Sequence, residues 1–175
     1  MIEKTLSSHV VYQGPVFTVR QDVVAGRSGS AIRDIVVHAP AVTVLPVASR
    51  DAIYMIHQYR KAVESVLIEA PAGCIEPNES PLDAAHRELK EETGIVAKQM
   101  IPVGEMYMAP GFCNEYMTIF LAMDLTMGAA EHEPDESMTL HRYTWDDLMN
   151  KVAEGQIKDA KTILALQYLR PYIGG

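Results

Sequence analysis

One stretch of the chain gathers carboxylates on and beside a single predicted helix. The segment from Gly73 to Ile95 reads GCIEPNESPLDAAHRELKEETGI and contains Glu79, Glu88, Glu91 and Glu92. Carboxylates this close repel one another unless a cation lies between them. Hard oxygen ligands suit Mg²⁺ or Mn²⁺, and Mg²⁺ commonly bridges protein carboxylates to substrate phosphates. The residue types therefore predict metal-assisted chemistry on a phosphate.

The same stretch carries the signals that begin and end a helix. Ser80 suits the N-cap, Pro81 suits the first helical position, and Gly94 suits a left-handed residue after the last turn. An apolar stripe at i, i+3 and i+7 is expected to face a core, formed by Leu82, Ala85 and Leu89.

Residues four apart on this helix share a face. Glu88 and Glu92 can therefore grip one ion, and Arg87 can pair with Glu91. Glu79 precedes the helix and can fold back over its first turn. The spacing thus predicts a metal site with an arginine beside it.

Composition limits the classes of function that we expect of this chain. The chain has 175 residues, 48% of them hydrophobic and 22% charged, with a net charge of −8. We expect one globular unit without general affinity for nucleic acid or anionic membranes. The N-terminus contains no long apolar run, so we expect no signal peptide and a cytoplasmic location.

Strand patterns alternate with helical ones along the chain. Two extended runs around Gly14 and Pro15 predict a hairpin. Further strands are expected at 31–39, 41–48, 52–60, 65–73, 98–110, 115–125 and from 138. Two terminal helices are expected at about 145–154 and 160–170, capped by Thr144 and Asp159. The pattern predicts an α/β fold with a mixed sheet covered by helices.

The helix segment resembles the signature box of the Nudix hydrolases at every fixed position. The matching residues are Gly73, Glu79, Arg87, Glu88, Leu89, Glu91, Glu92, Gly94 and Ile95. The resemblance implies an α/β/α sandwich with a loop–helix–loop metal site, preceded by N-terminal strands. These strands would occupy residues 1–40 and the Nudix domain 41–175. The implied reaction is hydrolysis of a nucleoside diphosphate linked to another group.

Segments outside the box resemble the ADP-ribose pyrophosphatase branch of that family. Pro110 lies 16 residues after Gly94, which is the mark of this branch. The other segments are Gln58–Arg60, Glu69–Gly73, Ala109–Glu115 and Asp159–Ile163. The resemblance implies cleavage of ADP-ribose to AMP and ribose 5-phosphate.

The resemblance also assigns roles near the metal. Glu88, Glu92 and the carbonyl of Ala72 would bind Mg²⁺, with Mn²⁺ as an alternative. Glu91 would pair with Arg87 and share a metal, and Glu79 would orient this set. The general base would be a glutamate in the loop EHEPDE, with Glu136 favoured over Glu133.

Substrate contacts are implied elsewhere in the chain. Arg60 would reach the diphosphate, and the loop containing Pro110, Gly111 and Glu115 would face the metals and the terminal ribose. A homodimer is also implied, in which the N-terminal strands cross to the other subunit. Val16, Phe17 and Arg20 would then lie near the partner's site.

Alternative functions remain open at this point. A broader nucleoside diphosphate sugar hydrolase would take GDP-mannose or ADP-glucose. A non-catalytic ADP-ribose-binding module is a different class, but such modules usually lose box carboxylates and this box is intact. A hydrolase of oxidised nucleoside triphosphates is disfavoured by Pro110 and by the N-terminal strands.

Overall fold

Contacts divide the chain into two compact units. The computed structural model describes residues 2–27, 29–130 and 138–173, so the candidate bases Glu133 and Glu136 lie outside the described residues. The first unit comprises Met1–Pro40 with Met106–Met117, and the second comprises Ala41–Glu105 with Thr118–Gly175. The association of residues 106–117 with the N-terminal strands was not predicted from the sequence.

The first unit contains an antiparallel sheet of three strands in the order β1-β2-β3. Their bounds are Thr5–Gln13 (β1), Phe17–Gly26 (β2) and Gly29–His38 (β3). The expected turn at Gly14 and Pro15 joins the first two strands. All nine residues of β1 are exposed, although the strand includes Val10 and Tyr12.

The second unit is built on a mixed sheet covered by helices, the predicted α/β/α sandwich. The strand order is β10-β5-β4-β9-β8, with β6 paired to β5 and β7 paired to β4. The strands are Ala41–Ser49 (β4), Ala52–Arg60 (β5), Ser65–Glu69 (β6), Ala72–Cys74 (β7), Ile95–Tyr107 (β8), Tyr116–Met127 (β9) and Met138–Tyr143 (β10). The helices are Pro81–Thr93 (α1), Trp145–Ala153 (α2) and Ala160–Leu169 (α3).

One part of the core lies between the centre of this sheet and α1, and another includes the buried residues of α2 and α3. Strand β4 is buried from Ala41 to Val47, because α1 and α3 both pack against it in addition to the strands that flank it. Its side chains pack with those of α1, β8 and β9 in one apolar cluster, which includes Val42, Val44, Ala84, Ala85, Leu89, Ile95 and Phe120. This packing holds α1, and hence its carboxylates, against the sheet.

The ends of α1 are as predicted. The side chain of Ser80 accepts a hydrogen bond from the backbone of Asp83, and Gly94 adopts a left-handed conformation with φ of 71°. One part of the apolar stripe was wrong, since Leu82 is 45% exposed whereas Ala85 and Leu89 are fully buried. In the first turn of the helix the packed layer therefore includes Ala84 rather than Leu82.

The single strand expected at 65–73 was also wrong, because two shorter strands replace it. The chain leaves the sheet ladder at Ala70 and Pro71. The backbone N–H of Ala70 donates to the hydroxyl of Thr162 at 2.7 Å, and proline has no N–H to donate. This break turns the chain towards α1. Among the described helices, none is long and apolar enough to cross a membrane.

Candidate active site

Arg87 binds three carboxylates of the acidic segment at once. Its Nε donates to Glu79 Oε1 at 2.8 Å and its Nη2 to Glu79 Oε2 at 2.9 Å. Its Nη1 donates to Glu88 at 2.7 Å and to Glu91 at 3.1 Å. The spacing had predicted only the contact with Glu91. Nη2 also donates to the carbonyl of Cys74 at 2.9 Å, so Arg87 ties the loop before α1 to the helix itself.

These contacts shift the ionisation of the groups involved. The hydrogen bonds from Arg87 lower the pKa of Glu79 to about 2, and the backbone N–H of Glu76 adds a further hydrogen bond. Hydrogen bonds to Glu79 in turn raise the pKa of Arg87 well above its ordinary value. Glu79 is therefore a carboxylate that keeps its charge, held against a permanently charged guanidinium.

Glu88 and Glu92 both face the short strand β7. Glu92 is buried, and its Oε2 accepts a hydrogen bond from the backbone N–H of Ala72 at 3.0 Å. The carboxylate of Glu88 occupies the space that a Cβ on Gly73 would fill. Two carboxylates one turn apart therefore meet adjacent residues of β7, Glu92 at Ala72 and Glu88 at Gly73, and any side chain at Gly73 would displace Glu88.

A second charged cluster involves Arg60, at the end of β5. Its Nε and Nη2 donate to the two carboxylate oxygens of Glu69, at 2.9 Å and 2.8 Å. Lys161 also contacts Glu69, and it lies 3.0 Å from Asp159. Burial alone would raise the pKa of Glu69, but the hydrogen bonds and charges of Arg60 and Lys161 outweigh this and lower it. The cluster therefore holds two cations and two anions.

Sequence reasoning assigned no role to Glu69 or Lys161. They are 92 residues apart, and no local spacing pattern links them. One available signal was that each lies in a segment already noted for its family resemblance. A second was the position of Glu69 within an expected strand, since an acidic residue that a strand buries needs a partner.

The remaining candidate residues belong to the first unit. Arg20 forms an ion pair with the buried Asp22, 3.0 Å away. Pro110 and Gly111 are exposed and line a cavity of about 520 Å³, together with residues of β3 such as Arg33 and Ile35. The backbone carbonyl of Glu115 accepts a hydrogen bond from Met108 at 3.1 Å. The expected approach of the loop from Pro110 to Glu115 to the metal ligands stays a prediction, as does that of Arg20 to the partner's site.

The loop that carries Gly111 is fixed to the edge of β3 by backbone hydrogen bonds. Val36 donates to the carbonyl of Phe112 at 2.7 Å and accepts from Asn114 at 3.2 Å. The side chain of Asn114 accepts from the backbone of His38 at 2.8 Å. The loop therefore extends the three-stranded sheet of the first unit.

Comparison with known proteins gives consistent results. The family model described as the NUDIX domain matches residues 37–166. An ADP-ribose pyrophosphatase of Bacillus subtilis (strain 168) is 36% identical over 171 residues, covering 96% of this chain and 92% of the relative. A methanol dehydrogenase activator of Bacillus methanolicus shows the same identity and coverage. A crystal structure of an ADP compounds hydrolase superposes with a TM-score of 0.84 at 27% identity, covering 98% of this chain and 94% of the other.

Proposed function

Because this chain belongs to the Nudix family and is a Nudix hydrolase, we propose that it cleaves the diphosphate bond of ADP-ribose, giving AMP and ribose 5-phosphate. The observation that carries the reaction class is the convergence of Glu88 and Glu92 on the backbone of Ala72 and Gly73. The substrate is supported by the relative named ADP-ribose pyrophosphatase, which matches along almost its whole length.

The donor set fits a hard divalent cation, for which we propose Mg²⁺. Glu88, Glu92 and the carbonyl of Ala72 supply oxygen atoms only, and Glu91 lies on the same helix. Among the described residues, no three histidine, cysteine or acidic side chains are already gathered as a metal cluster. The fit therefore rests on two carboxylates with a backbone carbonyl, and on the absence of a side chain at Gly73.

We assign two kinds of role to these residues: binding or positioning other groups, and accepting a proton. Arg87 keeps Glu79, Glu88 and Glu91 in place. Arg60 offers positive charge to the diphosphate, and Glu136, with Glu133 as the alternative, accepts the proton of the attacking water. A divalent cation bound by Glu88 and Glu92 would neutralise the diphosphate and make that water more acidic.

We also propose that the protein is a homodimer that associates through its N-terminal sheet. Strand β1 is an edge strand, and its apolar Val10, Val11 and Tyr12 are all more than half exposed. An exposed apolar edge offers both unpaired backbone groups and hydrophobic area to a second copy. In this assembly Arg20 would serve the partner's substrate pocket.

Broader specificity is the second candidate, since the superposed structure is titled an ADP compounds hydrolase. A panel of ADP-ribose, ADP-glucose and GDP-mannose with Mg²⁺, read by chromatography of the products, separates these functions. We expect AMP and ribose 5-phosphate from ADP-ribose and loss of turnover with EDTA. Cleavage of GDP-mannose with ADP-ribose left intact would refute the proposed substrate.

The metal ligands are tested with a matched pair of variants. Glu92→Gln is expected to lower kcat/KM by more than about a hundredfold, because a charged ligand becomes neutral. Glu64→Gln changes the same residue type at a site that is 71% exposed and serves as the control. Full activity of Glu92→Gln would contradict the proposed metal site.

A further inference from the structure

Glu69 accepts two hydrogen bonds from the guanidinium of Arg60. Its side chain is 1% exposed, and both carboxylate oxygens are occupied by Arg60, through Nε and Nη2. A two-point contact between arginine and a carboxylate fixes the plane and the direction of the guanidinium, which a single hydrogen bond would not. The contact with Glu69 therefore holds the guanidinium of Arg60 in one orientation.

Lys161 fixes Glu69 in turn. Its side chain is 9% exposed, and its ammonium group contacts Glu69 Oε2 and lies 3.0 Å from Asp159 Oδ2. Asp159 is the N-cap of α3 and accepts a hydrogen bond from the backbone of Thr162 at 3.0 Å. The start of α3 thus holds Glu69 in place through Lys161, which follows Arg60 by 101 residues in the chain (161 − 60).

One edge of Arg60 remains available on the other side. No described residue engages its Nη1, and the side chain is 39% exposed. The charge of Glu92 acts on this guanidinium, so Arg60 lies within electrostatic range of the proposed metal ligands. Buried ion pairs are weak sources of stability compared with apolar packing, and Glu69 and Lys161 are both buried, so their contact indicates a role other than stability.

We infer that Glu69 and Lys161 are positioning residues, which hold Arg60 so that its Nη1 edge meets the diphosphate of the substrate. The inference rests on the proposed function, because it requires a substrate with a diphosphate. Neither residue contacts the substrate itself; each acts through Arg60.

A double-mutant cycle tests this directly. Arg60→Ala is expected to raise KM for ADP-ribose by about thirtyfold, with kcat changed less than about threefold, because a charged hydrogen bond is lost in ground and transition states alike. Glu69→Gln is expected to raise KM about tenfold. In the Arg60→Ala background the same change should raise KM less than about twofold. Effects that multiply in the double variant would overturn the inference.

Two controls separate positioning from a general structural role. The exposed pair Lys61 and Glu64 has the same residue types, so Glu64→Gln and Lys61→Met should leave KM unchanged. The affinity for Mn²⁺, measured by electron paramagnetic resonance, should be unchanged in Glu69→Gln; a parallel loss would show that the whole site had collapsed. If Glu69→Gln does not fold, Lys161→Met gives the same cycle with Arg60→Ala, and Lys161→Arg should restore KM.

Binding of ADP, measured by calorimetry, tests the coupling between Glu69 and Arg60 independently of whether the protein cleaves ADP-ribose. A wild-type protein that leaves ADP-ribose intact refutes the proposed function alone. Coupling between Glu69 and Arg60 in ADP affinity would still support the positioning role. Absence of coupling in a protein that does cleave ADP-ribose refutes the positioning role alone.

Discussion

Gly73 is a residue of the candidate site at which there is no room for a side chain. A Cβ there would overlap the carboxylate of Glu88. We expect Gly73→Ala to lower kcat/KM by more than about a hundredfold, because a displaced ligand loses most of its contribution to the transition state. Initial rates with ADP-ribose and Mg²⁺ measure the effect.

Gly104→Ala is the matched control for this prediction. Its Cβ would overlap the ring of Tyr168, so the added methyl group is equally crowded but lies away from the candidate ligands. We expect a lower melting temperature with kcat/KM nearly unchanged. Equal losses of activity in both variants would show that crowding alone, rather than the position of Glu88, explains the result at Gly73.

Glu79 makes stability depend on pH in a defined window. Its pKa is about 2 in the folded state and 4.5 in a model peptide, so the stability that it contributes is complete above about pH 4.5. That contribution is lost as the pH falls towards 2. We expect the difference in unfolding free energy between wild type and Glu79→Gln to shrink across this range, as measured by urea unfolding. A difference that stayed constant down to pH 3 would contradict the shifted pKa.

Contacts between residues could be predicted from the sequence only where they are local. The pairing of Arg87 with Glu91 follows from helical spacing. The stronger two-point contact with Glu79 depends on how the loop before α1 folds back. The contact of Lys161 with Glu69 depends on where α3 meets β6, which no pattern in either segment encodes.

At the scale of elements, helix ends are the most predictable features. Ser80, Thr144 and Asp159 each cap a helix through a side-chain oxygen, as their residue types predict. The order β10-β5-β4-β9-β8 was not predictable, because strand pairing is decided by tertiary packing over long sequence separations. The break at Ala70 was missed for the same reason, since it depends on the distant Thr162.

Two glycines with nearly the same backbone conformation allow a prediction about helix ends. Gly94 after α1 has φ of 71° and Gly155 after α2 has φ of 69°. Alanine at either position costs about 1 kcal/mol for the left-handed conformation. At Gly94 its Cβ would also lie 2.5 Å from the backbone oxygen of Gly128, whereas at Gly155 no atom of the described residues lies within 4 Å of it.

We therefore expect Gly94→Ala to be less stable than Gly155→Ala by about 1–3 kcal/mol, the usual cost of overpacking. Urea unfolding of the two variants measures the difference. Since α1 carries the candidate metal ligands, Gly94→Ala should also lose activity at a lower temperature. Equal stabilities would mean that the loop at Gly128 moves aside for the added Cβ with no loss in the free energy of unfolding.

At the scale of the whole molecule, the charge of the chain opposes its proposed substrate. A net charge of −8 repels an anionic diphosphate, so attraction must be local. Arg87 is occupied by three carboxylates, so in the proposed site the cation and Arg60 supply this attraction, and Arg20 would add to it in the proposed dimer. Because the net charge of the chain is negative, we expect activity to depend on both the cation and Arg60.

Association of two copies through β1 is the property of the whole molecule that can be tested most directly. Val10 is 57% exposed on this edge strand, and a lysine there would place a charge in an apolar interface. We expect Val10→Lys to be monomeric in sedimentation velocity and to lose activity, because Arg20 would no longer reach a partner's pocket. Val66→Lys is the matched control, since Val66 is 61% exposed on β6, a strand that pairs only with β5. A Val10→Lys protein that remained dimeric would place the interface elsewhere.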